Sequence, residues 1–100
     1  DNTFRNIYQN SPIKRAKRVG LQRNACVALG NNGDPNAVDP LSQALINCEP
    51  LVRCHAAWAL GRIGGISAIA ALKSALCNET HSQVVEEIKS ALEEASKELL

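Results

Sequence analysis

Hydrophobic residues recur along this chain at intervals of three and four, with polar residues filling the positions between. Leu21, Ala25, Ala28 and Leu29 form one such set, and Val38, Leu41, Ala44 and Leu45 the next. Val52, Ala56, Ala59, Leu60 and Ile63 follow, then Ile69, Leu72, Ala75 and Leu76, and finally Val84, Val85, Ile88, Ala91, Leu92, Ala95 and Leu99. Such spacings place the apolar side chains on one face of an α-helix. Alternating β-branched runs are absent, so the pattern predicts helices and no strand.

Helix ends can be read between these sets. Gly30 and Gly33 are expected to close the first helix, because glycine adopts the left-handed conformation of a helix end without steric cost. Asp34-Pro35, and again Asp39-Pro40, join an N-cap oxygen to a proline whose missing N–H is harmless in a first turn. Glu49-Pro50 opens the third helix, which turns at Gly64-Gly65, and Ser67 is the candidate N-cap of the fourth. Thr80 with Gln83 has the spacing of a capping box before the fifth. Upstream, Phe4, Ile7 and Tyr8 suggest a short helix, and Ser11-Pro12 begins another that Gly20 interrupts.

The chain also repeats itself. Asn24-Ala25-Cys26-Val27-Ala28-Leu29-Gly30, followed by Gly33, matches His55-Ala56-Ala57-Trp58-Ala59-Leu60-Gly61, followed by Gly64, at an offset of 31 residues. Ala37, Val38, Leu41, Ala44 and Leu45 fall on Ala68, Ile69, Leu72, Ala75 and Leu76 at the same offset. A fixed period of this size marks an array in which each unit buries its apolar face against its neighbours. The expected architecture is a single all-α domain, an α-α solenoid of about two full repeats. Its lead-in helices would occupy residues 1–20, the first repeat 21–48, the second 49–78 and a capping helix 79–100.

Composition changes this picture in two ways. Apolar residues make up 45% of the chain but include one Phe, one Tyr and one Trp, so the core is built from small and branched aliphatics. No uninterrupted apolar run approaches membrane-spanning length and no secretory leader is visible, so a cytoplasmic protein without a membrane partner is expected. The lack of Met and the start at Asp1 suggest a fragment of a longer protein.

Charge is unevenly placed. Residues 1–23 carry Arg5, Lys14, Arg15, Lys17, Arg18 and Arg23 against Asp1, and residues 79–98 carry Glu79, Glu86, Glu87, Glu93, Glu94 and Glu98 against Lys89 and Lys97. In a solenoid these become opposite poles, and a basic pole attracts phosphates. Lys14, Arg15, Lys17 and Arg18 are therefore candidates for nucleic-acid contact, the alternative being a solvated helix face. With little aromatic interleaving, phosphate contact fits better than stacking on unpaired bases.

Catalytic chemistry is not evident. Cys26, Cys48, Cys54 and Cys77 form no C-x-x-C pair, and read as small core hydrophobes or free thiols rather than metal ligands or bridges. Cys54 and His55 are adjacent on a helix and so point about 100° apart, which excludes a direct nucleophile-base pair. His55 occupies the place of Asn24, and both read as hydrogen-bond anchors between helices or as surface ligand contacts. Trp58, in the place of Val27, is expected to pack in a groove or on a neighbouring domain. Phosphate-loop, zinc-protease and nucleophile-elbow motifs are all missing.

The run Ser11-Pro12-Ile13-Lys14-Arg15-Ala16-Lys17-Arg18, then Gly20-Leu21-Gln22-Arg23-Asn24, Ala28-Leu29-Gly30-Asn31 and His55-Ala56-Ala57-Trp58-Ala59-Leu60-Gly61, resembles the C-terminal region of epoxyqueuosine reductases. The Ala-Leu-Gly turn is shared with HEAT-like repeats in general, whereas the Ser-Pro-Ile-Lys-Arg opening is not. The resemblance implies a HEAT-like α-α solenoid within a parent oxidoreductase. That parent would carry two [4Fe-4S] clusters in a ferredoxin-like domain and a cobalamin domain, and would reduce epoxyqueuosine to queuosine at the wobble position of tRNA. This sequence lacks the cluster cysteine run and any cobalamin domain, so it holds no cofactor and no catalytic residue of its own. It would hold the anticodon stem-loop, with Lys14, Arg15, Lys17, Arg18 and Arg23 on RNA phosphates and Asn24 and Asn31 as polar helpers, and would pack on the cluster domain. The competing reading is a HEAT-like protein-interaction scaffold that binds no nucleic acid.

Overall fold

The three-and-four spacing is realised as five helices in two layers. The computed structural model describes the backbone of residues 12–97 and the side chains of residues 19–97. Helix α1 spans Pro12–Asn32, α2 Val38–Ala44, α3 Pro50–Ile63, α4 Gly65–Asn78 and α5 Ser82–Lys97, with a 3-10 turn at Pro35–Ala37 leading into α2. Among the described residues there is no strand. Helices α1, α3 and α5 pack side by side as one layer, while α2 and α4 pack on each other and against α3 to form the second. This is the all-α solenoid that the 31-residue period predicts.

Two glycines one period apart set the spacing within the first layer. A Cβ on Gly30 would lie 2.9 Å from the Ala59 Cα, and one on Gly61 would lie 2.9 Å from the Ala91 Cα, so each helix touches the next through bare backbone. Gly30 is therefore a contact residue inside α1 and not its end. The turn is made by Gly33, at φ 70°, whose N–H donates to the Leu29 carbonyl at 3.1 Å. Gly20 does not interrupt the lead-in either: α1 runs through it unbroken. One such glycine costs a helix about 1 kcal/mol relative to alanine, too little to break 21 residues whose later turns pack on α3.

Other boundaries shift for similar local reasons. Asp34 caps as expected, its carboxylate accepting the Asn36 N–H at 2.9 Å, but Asp39 and Pro40 lie within the first turn of α2 and do not precede it. There the Asp39 carboxylate meets the positive end of the helix dipole. The chain leaves α3 at Gly64, φ 71°, and α4 begins at once at Gly65, which puts Ser67 inside the helix. Helix α5 starts at Ser82, so Thr80 falls outside it, and the side-chain acceptor in that turn is Glu79, whose Oε2 receives the His81 N–H at 3.1 Å.

The core follows the predicted stripes in four of the five helices. Leu41, Val52, Leu60, Leu72, Val84 and Ile88 are fully buried, with Ala56, Ala59, Ala68 and Ala95 filling the gaps between close backbones. Each large aliphatic so buried stabilises the fold by roughly 1.5–3 kcal/mol. Helix α1 differs. Its expected apolar face is mostly exposed, with Leu21 at 63%, Ala25 and Ala28 open and Leu29 half-buried, because α1 turns Cys26 and Gly30 toward α3. Phe4, Ile7, Tyr8 and Leu99 lie outside the described residues.

Candidate nucleic-acid interface

The predicted contact residues all belong to one helix. Lys14, Arg15, Lys17 and Arg18 occupy the first turns of α1, with side chains outside the described residues, and Arg23, Asn24 and Asn31 are exposed along its later turns. Helical register brings positions 17, 24 and 31 onto one stripe, since seven residues make about two turns. Positions 14 and 18 lie about 60° and about 100° round the helix from 17, on the same face as Leu21, Ala25 and Ala28. Positions 15 and 23 fall elsewhere on the cylinder, 15 toward the side that carries Cys26. The helix thus gathers five of the seven positions on one broad face.

The same helix overhangs its neighbour. Gly30 abuts Ala59, and Val27 lines a shared groove with Cys54 and Trp58, so α1 and α3 run parallel with this offset. Because α3 starts at Pro50, nine residues before Ala59, the matching point in α1 is Leu21. The turns before it extend about 13 Å beyond the end of α3. Four cations on the first turns of one helix are a chemistry suited to phosphate contact.

At the opposite pole the acidic surface is smaller than composition suggests. Glu86, Glu93 and Glu94 are exposed on α5, and Glu94 lies 3.6 Å from Lys97. Glu79 is withdrawn from that surface. Its carboxylate accepts from Arg53 Nε at 2.8 Å and from Arg53 Nη2 at 3.0 Å, while Arg53 Nη1 donates to the Asn47 carbonyl at 2.8 Å. Burial pushes the Glu79 pKa up, but the Arg53 hydrogen bonds, the His81 N–H and the guanidinium charge outweigh it, so the carboxyl titrates below its ordinary value. This clamp joins the α2–α3 connector to the α4–α5 connector. Its ends are 26 residues apart, and no spacing rule in the sequence marks them as partners.

Between the helices of the first layer, Val27, Cys54, His55, Trp58 and Glu87 line a groove of about 310 Å³. The Trp58 ring fits there because Gly30 has no side chain: a Cβ would lie 2.7 Å from Cζ3. The Arg62 guanidinium stands 5.9 Å from the ring centre, a cation–π distance. Trp58 thus packs in a groove, as its position suggests. His55 does not bridge helices; its Nδ1 pairs with the Leu51 carbonyl of its own helix at 2.9 Å. Burial raises the Cys26 thiol pKa, and burial followed by the Glu87 charge raises that of Cys54, which leaves both protonated and poorly nucleophilic. All four cysteines are free. Among the described residues no three His, Cys, Asp or Glu side chains converge as a metal site, and no helix is long and apolar enough to cross a membrane.

Comparison with known proteins gives a consistent result. A family model described as HEAT repeats matches residues 13–93. An uncharacterized Geobacillus stearothermophilus protein is 38% identical over 74 residues, covering 73% of this chain and 34% of its own length. An epoxyqueuosine reductase of Listeria monocytogenes is 41% identical over 69 residues, covering 68% of this chain and 18% of its own. A crystal structure of a selenomethionine-labelled epoxyqueuosine reductase superposes with a TM-score of 0.70 at 33% identity, covering 75% of this chain and 20% of that one. The chain therefore spans between about a fifth and a third of the length of the relatives it matches.

Proposed function

The chain belongs to the HEAT-repeat family, and we propose that it is the tRNA-holding and scaffolding domain of an epoxyqueuosine reductase. The observation that carries this reading is the joint sequence and structural similarity to that enzyme across about three quarters of the chain. On this reading the whole cytoplasmic protein reduces epoxyqueuosine in tRNA with two [4Fe-4S] clusters and cobalamin. The cysteines described here are dispersed and form no metal-binding group, so they do not fit a cluster, and no redox step is assigned to them. The share of this domain is binding. Lys14, Arg15, Lys17, Arg18 and Arg23 hold phosphates of the anticodon stem-loop, Asn24 and Asn31 add hydrogen bonds, and the array packs against the cluster domain. Such contacts fix position and shape and do not read base sequence.

Titration of a labelled anticodon stem-loop at about 50 and 200 mM salt tests the RNA contact. Neutralising several phosphates should weaken binding by orders of magnitude between those two concentrations. Charge reversal at Lys14, Arg15 and Lys17 should abolish it at low salt. If no complex forms at low salt, or if the reversed variant binds as well, the RNA role is lost. The protein-interaction reading then gains, favoured by Ile66, which is 79% exposed on α4.

A further inference from the structure

The period of 31 applies to the outward stripe of the first layer as well as to the core. Asn24, Val27 and Asn31 of α1 fall on His55, Trp58 and Arg62 of α3, and these in turn on Glu86, Lys89 and Glu93 of α5. Trp58 and Glu87 border two grooves, of about 310 and 320 Å³, whose walls come from α1, α3 and α5 alone. This side of the layer therefore lies away from α2 and α4. Contact of Gly30 with Ala59 sets Arg62 level with Gly33, about 3 Å along the axis from Asn31, and His55 the same step from Asn24. Across the layer the two rows lie about one helix spacing apart, roughly 8–10 Å.

We propose that His55 and Arg62 carry the RNA interface from α1 onto α3, with Trp58 holding the Arg62 guanidinium in place, and that Glu86 and Glu93 end it at α5. The inference rests on the RNA-holding reading above and adds a second helix to it. At the first and last places of the stripe, the three helices carry two amides, then an imidazole and a guanidinium, then two carboxylates. Phosphate is attracted to the guanidinium of the second row and repelled by the carboxylates of the third. Arg62 is exposed, stands 5.9 Å from the Trp58 ring centre and forms no ion pair among the described residues. Its planar fork of N–H donors is free to take a phosphate. His55 donates its Nδ1–H to the Leu51 carbonyl, which leaves Nε2 to accept from a ribose 2′-hydroxyl.

The test is binding of an anticodon stem-loop to the full 100-residue chain at about 50 mM salt. Arg62→Glu should weaken binding about tenfold or more, and Arg62→Gln should make the slope of log K against log salt shallower by about 1. Lys73→Glu, the same change of charge on exposed α4 in the other layer, should leave affinity within about twofold. Trp58→Leu should weaken binding about two- to fivefold through the lost cation–π contact, and Trp58→Phe should recover most of that. Emission of Trp58, the single tryptophan, should change as RNA is added. Suppose that Arg62→Glu binds as Lys73→Glu does, or that the emission is unmoved at saturation, while charge reversal at Lys14, Arg15 and Lys17 abolishes binding. The RNA then lies on α1 alone, and this proposal is overturned with the RNA reading intact. If the wild type forms no complex at low salt, that reading falls and the proposal falls with it.

Discussion

Helices α1 and α5 bound the same layer from opposite sides and meet their surroundings differently. In α5, Val84, Ile88, Ala91 and Ala95 turn inward, and the outward positions hold Glu86, Lys89, Glu93, Glu94 and Lys97. In α1 the outward positions hold Leu21, Ala25 and Ala28, residues that the next repeat buries completely at the equivalent places. One end is finished by charge and the other continues the interior pattern. Burial in a stacked array is thus a property of the neighbour as much as of the helix, and the α1 side is where this array expects further contact.

The largest effect that separates the two regions should come from matched leucines. Leu60→Ala removes a fully buried side chain between layers and should destabilise the fold by about 3–4 kcal/mol. Leu29→Ala, one period earlier and half-buried among the described residues, should cost about 1 kcal/mol. Urea denaturation with an unchanged m-value measures both. Equal costs would mean that the two faces are equally enclosed.

A second contrast is electrostatic. Arg53 and Glu79 tie successive connectors together, whereas one period earlier the same two places hold Gln22 and Cys48, which cannot form an ion pair. The second pair of connectors is therefore locked by charge, and the equivalent positions 22 and 48 provide no such lock. Glu79→Ala leaves the Arg53 guanidinium without its partner in a largely buried place and should cost about 2–3 kcal/mol. Its folded pKa lies below the ordinary 4.5, so the clamp contributes fully above that value and its contribution is lost as pH falls through the lowered one. Between pH 5 and pH 2 the wild type should consequently lose more stability than Glu79→Gln does. Parallel pH profiles for the two would show that the pair does not couple to folding.

The difference between the regions also bears on what the sequence makes legible. The period of 31, the five helical stripes and the inward residues of α2 to α5 follow from spacing alone, because spacing fixes which side chains share a face. Leu21, Ala25 and Ala28 carry the same spacing without the burial, since a linear pattern does not say whether a neighbour exists. Gly30 and Gly61 are visible as repeat signatures, yet Gly30 reads as a helix end when both are points of helix contact, a role set by what lies across the layer. The basic run at Lys14, Arg15, Lys17 and Arg18 is evident from composition. The Arg53–Glu79 clamp is not, because its partners meet only after two turns of chain have folded.

The smallest effect, and the most local, is expected from those two glycines. Alanine in place of glycine gains about 1 kcal/mol of helix propensity, against which the new methyl must find room. At Gly61 it would meet the Ala91 Cα and Cβ at 2.9 Å and the carbonyl oxygen at 3.0 Å, all held by a helix that Val84 and Ile88 anchor in the core. That backbone can move only as a unit, so Gly61→Ala should destabilise by about 1 kcal/mol net. At Gly30 the nearest atom, at 2.7 Å, is Cζ3 of Trp58, the far end of a side chain that borders a groove and can rotate into it. The Ala59 Cα at 2.9 Å still resists, so Gly30→Ala should fall near zero, with the strain taken up by the ring and by a small outward shift of α1. Trp58 is the single tryptophan, so its emission should shift to the red in Gly30→Ala and hold its position in Gly61→Ala. Equal costs with unmoved emission would mean that the open side of the array is as rigid as the closed one, and that its exposed apolar face is already held in place.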